Sequence, residues 1–249
     1  MIERERTNGI LTLRLAHGKA SAMDLELCNA LRTSIEEAAA DPDVHALVLT
    51  GTGHIFSAGV DLKLLLEGSA GAISEFVDSL DSLIRALFLF PKPAVAAING
   101  HAIAGGAILA FACDFRMMCT GRIGVTEMLV GVPFPPMALE VVRFAVPHKH
   151  LRSMVNFGRT IDVDAAHAIG LIDDVVLPEA LVIRAVETAR YLADLAPDAF
   201  RMTKRQLREP YLRAAATIAS DSADAIDEVW TSARTRERIR AYVAKTLAK

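Results

Sequence analysis

Two glycine-rich segments carry the residues best suited to chemistry. The first is Gly51-Thr52-Gly53-His54-Ile55-Phe56-Ser57-Ala58-Gly59-Val60-Asp61-Leu62-Lys63, the second Asn99-Gly100-His101-Ala102-Ile103-Ala104-Gly105-Gly106-Ala107. Each follows a short all-apolar run, Ala46–Leu49 or Ala94–Ile98, of the kind that forms a strand buried on both faces. Loops at the carboxyl ends of such strands are where α/β proteins place ligands. The common signatures fail at both. Phe56 stands where a dinucleotide fingerprint needs its third glycine, Ile55 denies Ser57 a nucleophile elbow, and no phosphate-loop lysine follows either segment. What the loops can offer is bare backbone N–H groups, one set at the start of a helix, which are the materials of an oxyanion hole. Ordinary tight turns account for the glycines equally well.

The elements that must hold these loops follow from periodicity. Gly9–Leu15 alternates as a strand, and Asp24 caps a helix with Leu27, Cys28, Leu31, Ile35 and Ala38 on its apolar face. Asp41-Pro42-Asp43 ends that helix. Ala72–Phe90 is amphipathic, Gly105–Cys113 is a helix of small residues, and Phe115–Cys119 is a third strand. This alternation predicts an α/β fold with a mainly parallel sheet. From Pro178 the pattern is helical only: Glu179–Leu195, Pro197–Leu207, and a run from Pro210 to Leu247. The domain reading is a core over 1–195 and a helical C-terminal region over 196–249.

The chain has 249 residues, 52% of them hydrophobic, and a net charge of −3 from 27 basic and 30 acidic side chains. That balance argues against a nucleic-acid partner or a polybasic membrane patch. Cys28, Cys113 and Cys119 make no disulfide framework and read as reduced thiols. The mean hydropathy of +0.32 raises the question of a membrane span, for which the uncharged run Ala94–Cys113 has the length. Asn99, Gly100, His101, Gly105 and Gly106 sit in its middle, at the depth where polar groups cost most, so strand, turn and helix is the better reading. With a charged, leaderless Met1–Arg14, a cytoplasmic protein is expected.

The chain resembles the crotonase superfamily, the enoyl-CoA hydratase/isomerase fold, over nearly its whole length. The matching pieces are Ala46–Gly53, Phe56–Lys63, Lys92–Gly100, Gly105–Asp114, Ile123–Gly131 and Ala165–Val176. The resemblance implies a ββα spiral core, an acyl-CoA thioester as substrate with no metal or redox cofactor, and a homotrimer or hexamer. It also implies that the thioester oxygen is held by the backbone N–H groups of Val60 and Gly105. Hydratases of this family use two glutamates; the first position here is Ile108, and the second is Glu127. A single glutamate looks like the Δ3,Δ2-enoyl-CoA isomerases, in which one carboxylate moves a proton from C2 to C4. Hydration, thioester or β-diketone hydrolysis, and an inactive CoA-binding member are the alternatives.

Glu127 is expected to be partly buried among Val125, Met128, Leu129 and Phe134, with its pKa raised. Ser57, Ala58, Gly59, Asp61, Lys63, Gly106 and Phe134 are the expected substrate contacts, and Asp61 is expected to orient the first loop. Lys63 and Lys92 are candidate partners for CoA phosphates, and Lys204, Arg205 and Arg208 either cover CoA or form a solvated face. Val132-Pro133-Phe134-Pro135-Pro136-Met137 replaces the glycine-rich turn usual in the family, so a stiffened, reshaped acyl pocket is expected. Asp114 is expected to be structural, His101 packed, and His148-Lys149-His150 a surface turn rather than a metal site.

Overall fold

The structure, a computed structural model, describes residues 1–246. Leu247–Lys249, the end of the expected C-terminal helical region, lie outside the described residues.

The chain opens with a hairpin, β1 (Ile2–Thr7) and β2 (Ile10–Leu15). β1 carries one apolar residue, and Arg4 and Arg6 pair with Glu37 and Asp41 instead, charges that suit an edge strand. α1 (Leu25–Ala40) begins where the Asp24 carboxylate accepts the Leu27 N–H at 2.8 Å, and it buries the five residues expected from the sequence. β3 (Ala46–Thr50) and β4 (Ile55–Ser57) follow, then α2 (Leu62–Glu67) and α3 (Ala70–Phe88), capped by Asp61 and Ser69. The next turn of the chain repeats the plan with β5 (Ala94–Ile98), β6 (His101–Ile103) and α4 (Gly105–Ala112). A third turn gives β7 (Phe115–Met118), β8 (Arg122–Gly124), the one-turn α5 (Glu127–Val130) and α6 (Pro136–Ala145).

Each turn therefore deals one strand to each of two sheets. With β9 (Thr160–Asp162) and β10 (Asp174–Val175), the larger sheet has the order β1-β2-β3-β5-β7-β10 and is parallel except for the first pair; the smaller has the order β4-β6-β8-β9. This is the ββα spiral. Between β8 and β9 (Thr160–Asp162) runs α7 (His148–Phe157), and α8 (Val163–Ala168) leads to β10 (Asp174–Val175). The two faces of the larger sheet read directly from the alternation. Leu47 and Leu49 join α1, α3 and α4 in one core, while Ala46 and Val48 pack with Leu181, Ala185 and Ala189 of α9 (Leu181–Ala193) in the other.

The C-terminal third departs from expectation at its breaks. Pro210 does not divide the helices: α10 runs unbroken from Pro197 to Thr231, and α11 (Ala233–Thr246) begins only after Ser232. Pro210 removes one helical hydrogen bond. Side chains on both sides of it, Lys204 and Arg208 before and Tyr211, Leu212 and Ala215 after, are seated on the core and hold the helix in register. His148 and His150 are likewise not in a turn but open α7. The run Ala94–Cys113 is β5, β6 and α4, and no helix among the described residues is long and apolar enough to cross a membrane.

Candidate active site

The two glycine loops are sewn together by Asn99. Its Oδ1 accepts the Gly51 N–H at 2.8 Å, and its Nδ2 donates to the carbonyls of Gly53 and Ile55. The loops then pass so closely that a methyl group on Gly59 would sit 2.6 Å from the Ile103 oxygen and 3.3 Å from the Gly105 nitrogen. Gly59 also has φ of +84°, so both space and backbone demand glycine there.

This contact brings Val60 and Gly105 to one cavity. Met23 bridges to the Val60 segment through Gly59 O and Asp61 N, which turns the intervening Val60 N–H away from Met23. Gly105 is the first residue of α4, so its N–H has no partner within the helix. Among the described residues neither N–H finds an acceptor. Ala104, just before, holds φ +50° and ψ −124°, a conformation that glycine normally fills. Backbone strain of this kind costs about 1–3 kcal/mol and is found where function requires it. Ala104 N–H donates to Gly124 O at 2.9 Å, and Gly105, the next residue, lines the cavity.

Glu127 faces the same cavity from the start of α5. It is 6% exposed, and its Oε2 has no hydrogen-bond partner. Burial pushes its pKa up from an ordinary 4.5 to about 7, against the opposing pull of the N–H groups of Glu127 and Thr126. The surroundings differ from those expected. Met128 and Leu129 turn outward and Phe134 packs into the core; Leu62 and Leu65 of α2 with Val130 and Val132 wall the cavity instead. A four-residue helix has room to bury only one side of its single turn, which goes to Glu127 and Val130. Ile108, 2% exposed, lines the same cavity with hydrocarbon.

Among the expected substrate contacts, Ala58 lines the cavity, whereas Ser57, Gly59, Gly106 and Phe134 do not. Ser57 Oγ donates to Ser21 O at 2.8 Å and accepts the Gly59 N–H, while Gly106 lies flat against Ser57, so these three brace the loops from behind. Asp61 caps α2 by accepting the Lys63 N–H at 2.9 Å. Lys63 stands in solvent near Glu67. Lys92 is spent on the carbonyls of Ala38 and Asp41 and is not free for a phosphate.

Lys204 and Arg208 are neither a CoA cover nor a solvated face. Both are buried on Asp114, at 2.6 and 2.7 Å, while Asp114 also accepts the Ala94 N–H, so the trio staples α10 to the start of β5. Burial lowers the Lys204 pKa to about 8 despite Asp114. Arg205 alone of the three basic residues is exposed. His101, the first residue of β6, is exposed rather than packed.

Residues that sequence reasoning missed come mostly from far along the chain. Trp230 at the end of α10 and Tyr242 of α11 line the cavity, together with Leu80, Pro135 and Ala138. The Trp230 Nε1–H donates to Pro133 O at 3.0 Å, which binds the C-terminal helices to the proline-rich loop. Asp81 of α3 fixes the other end of that loop by accepting the Met137 N–H at 2.7 Å. The only signal available was the proline run itself.

Two backbone N–H groups without acceptors among the described residues meet one buried carboxylate at a single cavity of the ββα spiral, an arrangement chemically able to stabilise an oxyanion beside a proton-exchanging group. Residues 5–249 match the sequence profile of the enoyl-CoA hydratase/isomerase family, and the chain belongs to that family, within the crotonase superfamily. A Thermus thermophilus protein named for enoyl-CoA hydratase is 37% identical over 186 residues, 73% of either chain. The solved enoyl-CoA isomerase of Mycobacterium tuberculosis is 31% identical with a TM-score of 0.81, over 96% of this chain and 97% of that one. Human mitochondrial Δ3-Δ2-enoyl-CoA isomerase shares the fold with a TM-score of 0.93 at 20% identity, over 99% and 98% of the two chains.

Proposed function

We propose that the protein is a Δ3,Δ2-enoyl-CoA isomerase. In this reading the thioester oxygen of a 3-enoyl-CoA accepts the N–H groups of Val60 and Gly105. The Glu127 carboxylate removes a proton from C2, the C2 electron pair delocalises to give a dienolate, and the negative charge settles on the thioester oxygen. Glu127, now protonated, returns the proton to C4, and the double bond lies between C2 and C3. Each oriented donor to such an oxyanion is worth about 3–4 kcal/mol in the transition state. A carboxyl group with a pKa of about 7 is matched to take and give back a proton near neutrality.

The observation that carries the reading is the stoichiometry of carboxylates: Glu127 faces the cavity, and Ile108 stands where a second acid would hold water. Apolar walls also keep solvent from intercepting the proton. Ala58 touches the acyl portion, and the exposed Lys63, beside Glu67, is a cation able to meet a CoA phosphate. The substrate is the CoA thioester itself, and no metal or redox group takes part. A cytoplasmic assembly of three or six copies belongs to the same reading, checked by light scattering.

Hydration is the second reading, supported by the Thermus relative's name. Parallel incubation with 3-enoyl-CoA and 2-enoyl-CoA, with mass analysis for added water, separates the two. Isomerisation converts the first substrate without mass change and leaves the second unhydrated. A 3-hydroxyacyl product as the main outcome excludes isomerisation as the principal activity, and binding without product from either substrate marks an inactive member.

A further inference from the structure

We propose that Trp230 is the end wall of the acyl pocket and makes the protein selective for short acyl-CoA thioesters, of four to six carbons. This rests on the reading of the cavity as the acyl site. The cavity holds about 70 Å³. A dry void of about 150 Å³ accepts one benzene molecule, so the space here, which includes the reacting centre between Val60, Gly105 and Glu127, fits about three or four carbon atoms. Away from Val60, Gly105 and Glu127 its lining is apolar or aromatic, with Leu65, Leu80, Val132, Ala138, Trp230 and Tyr242 all facing it.

The wall is anchored rather than simply present. Trp230 is 2% exposed, and its indole N–H is held by Pro133 O. Two residues beyond the end of α10, Ser232 and Thr235 turn the chain into α11; Thr235 Oγ1 donates to Val229 O at 2.6 Å and lies 3.4 Å from Gly131 O. Arg236 then reaches across to Gly68 O, just past α2, at 3.1 Å. The corner is thereby tied both to the loop after Glu127 and to the helix after Val60. Proline at positions 133, 135 and 136 fixes φ along the facing loop, so that side cannot recede cheaply either. A ten-carbon chain has to displace an indole that is packed, hydrogen-bonded and braced from two directions.

The test uses the full chain and two readouts. Saturated acyl-CoA thioesters of four, six, eight, ten and twelve carbons are titrated by calorimetry, and kcat/KM is measured for 3-enoyl-CoAs of the same lengths. Because one methylene too many in a closed pocket is worth about tenfold or more, the ten-carbon thioester is expected to bind at least about tenfold more weakly than the four-carbon one. Trp230→Ala is expected to shift the ten-carbon to four-carbon ratio by at least about tenfold toward the longer chain. If Trp230→Ala does not fold, Trp230→Leu keeps apolar bulk and is read in its place, with a smaller shift in the same direction. Equal binding of all lengths by the unmodified protein, or an unchanged ratio in the folded variant, overturns the inference and leaves the isomerase reading standing. Failure to bind any acyl-CoA removes the isomerase reading and the inference with it.

Discussion

Replacing Glu127 by Gln separates the stability of this fold from its proposed chemistry. The glutamate titrates at about 7 in the folded chain because burial disfavours its charge, whereas the unfolded chain returns it to 4.5. Below pH 4.5 both states hold the proton and burial costs nothing. Between 4.5 and 7 the folded state binds more proton than the unfolded, so stability falls as pH rises; above 7 both are ionised and the full cost persists. The difference corresponds to about 3 kcal/mol, an upper value for a side chain that opens onto a cavity. Glutamine is neutral throughout and nearly isosteric, so Glu127→Gln is expected to melt close to the unmodified protein at pH 4.5 and up to about 6–12 °C higher at pH 8. Isomerisation in the same variant is expected to fall by about a hundredfold to ten-thousandfold, with acyl-CoA binding retained. Thermal melts from pH 4.5 to 9, paired with turnover, make the measurement. Parallel pH profiles for the two proteins would falsify the assignment of Glu127 as a buried, strained carboxyl, and full turnover in the variant would exclude it as the base.

Three further outcomes follow from geometry. Gly59→Ala forces a left-handed residue into the Ile103 carbonyl and pushes the loops apart; a loss of about 2 kcal/mol or more in urea unfolding is expected, with kcat reduced. Asp114→Asn strands two buried cations, Lys204 and Arg208, and is expected to cost about 3–5 kcal/mol in the same assay, with no effect on the length profile of substrates. Ile108→Glu places a second carboxylate in the Glu127 cavity. Like charges resist ionising together, so the midpoint of the pH–rate profile for isomerisation is expected to move upward from about 7; an unmoved midpoint shows that the two side chains do not share the cavity.

The larger sheet and its helices were legible because their burial is written residue by residue. Ala46–Thr50 and Ala94–Ile98 are apolar throughout since both faces are covered, and Asp24 precedes a helical stripe. The smaller sheet was not legible: β4, β6, β8 and β9 have three residues each, too few to show a period, and glycine or polar residues interrupt them. β1 escaped notice because an edge strand is selected for charge rather than alternation. Within the site, Val60, Gly105 and Glu127 were reached through the family pattern, and the structure brings them to one cavity. Ala104 gave no warning, because a strained alanine has the same letter as a relaxed one. Lys92, Lys204 and Arg208 looked available for phosphate, since no local pattern reveals that an aspartate ninety residues away will claim two of them. Trp230 and Tyr242 illustrate the same limit: periodicity reports which face of a helix is buried, not what it is buried against.

The order of the chain has a consequence for how such a protein comes into use on the ribosome. Val60, Gly105 and Glu127 have all emerged once the segment to Val130 is made, but Trp230 and Tyr242 come a hundred or more residues later. Domains begin to fold from the N-terminus during synthesis. A nascent chain therefore presents Val60, Gly105 and Glu127 without the wall that Trp230 and Tyr242 add, which is complete only when α10 and α11 have emerged.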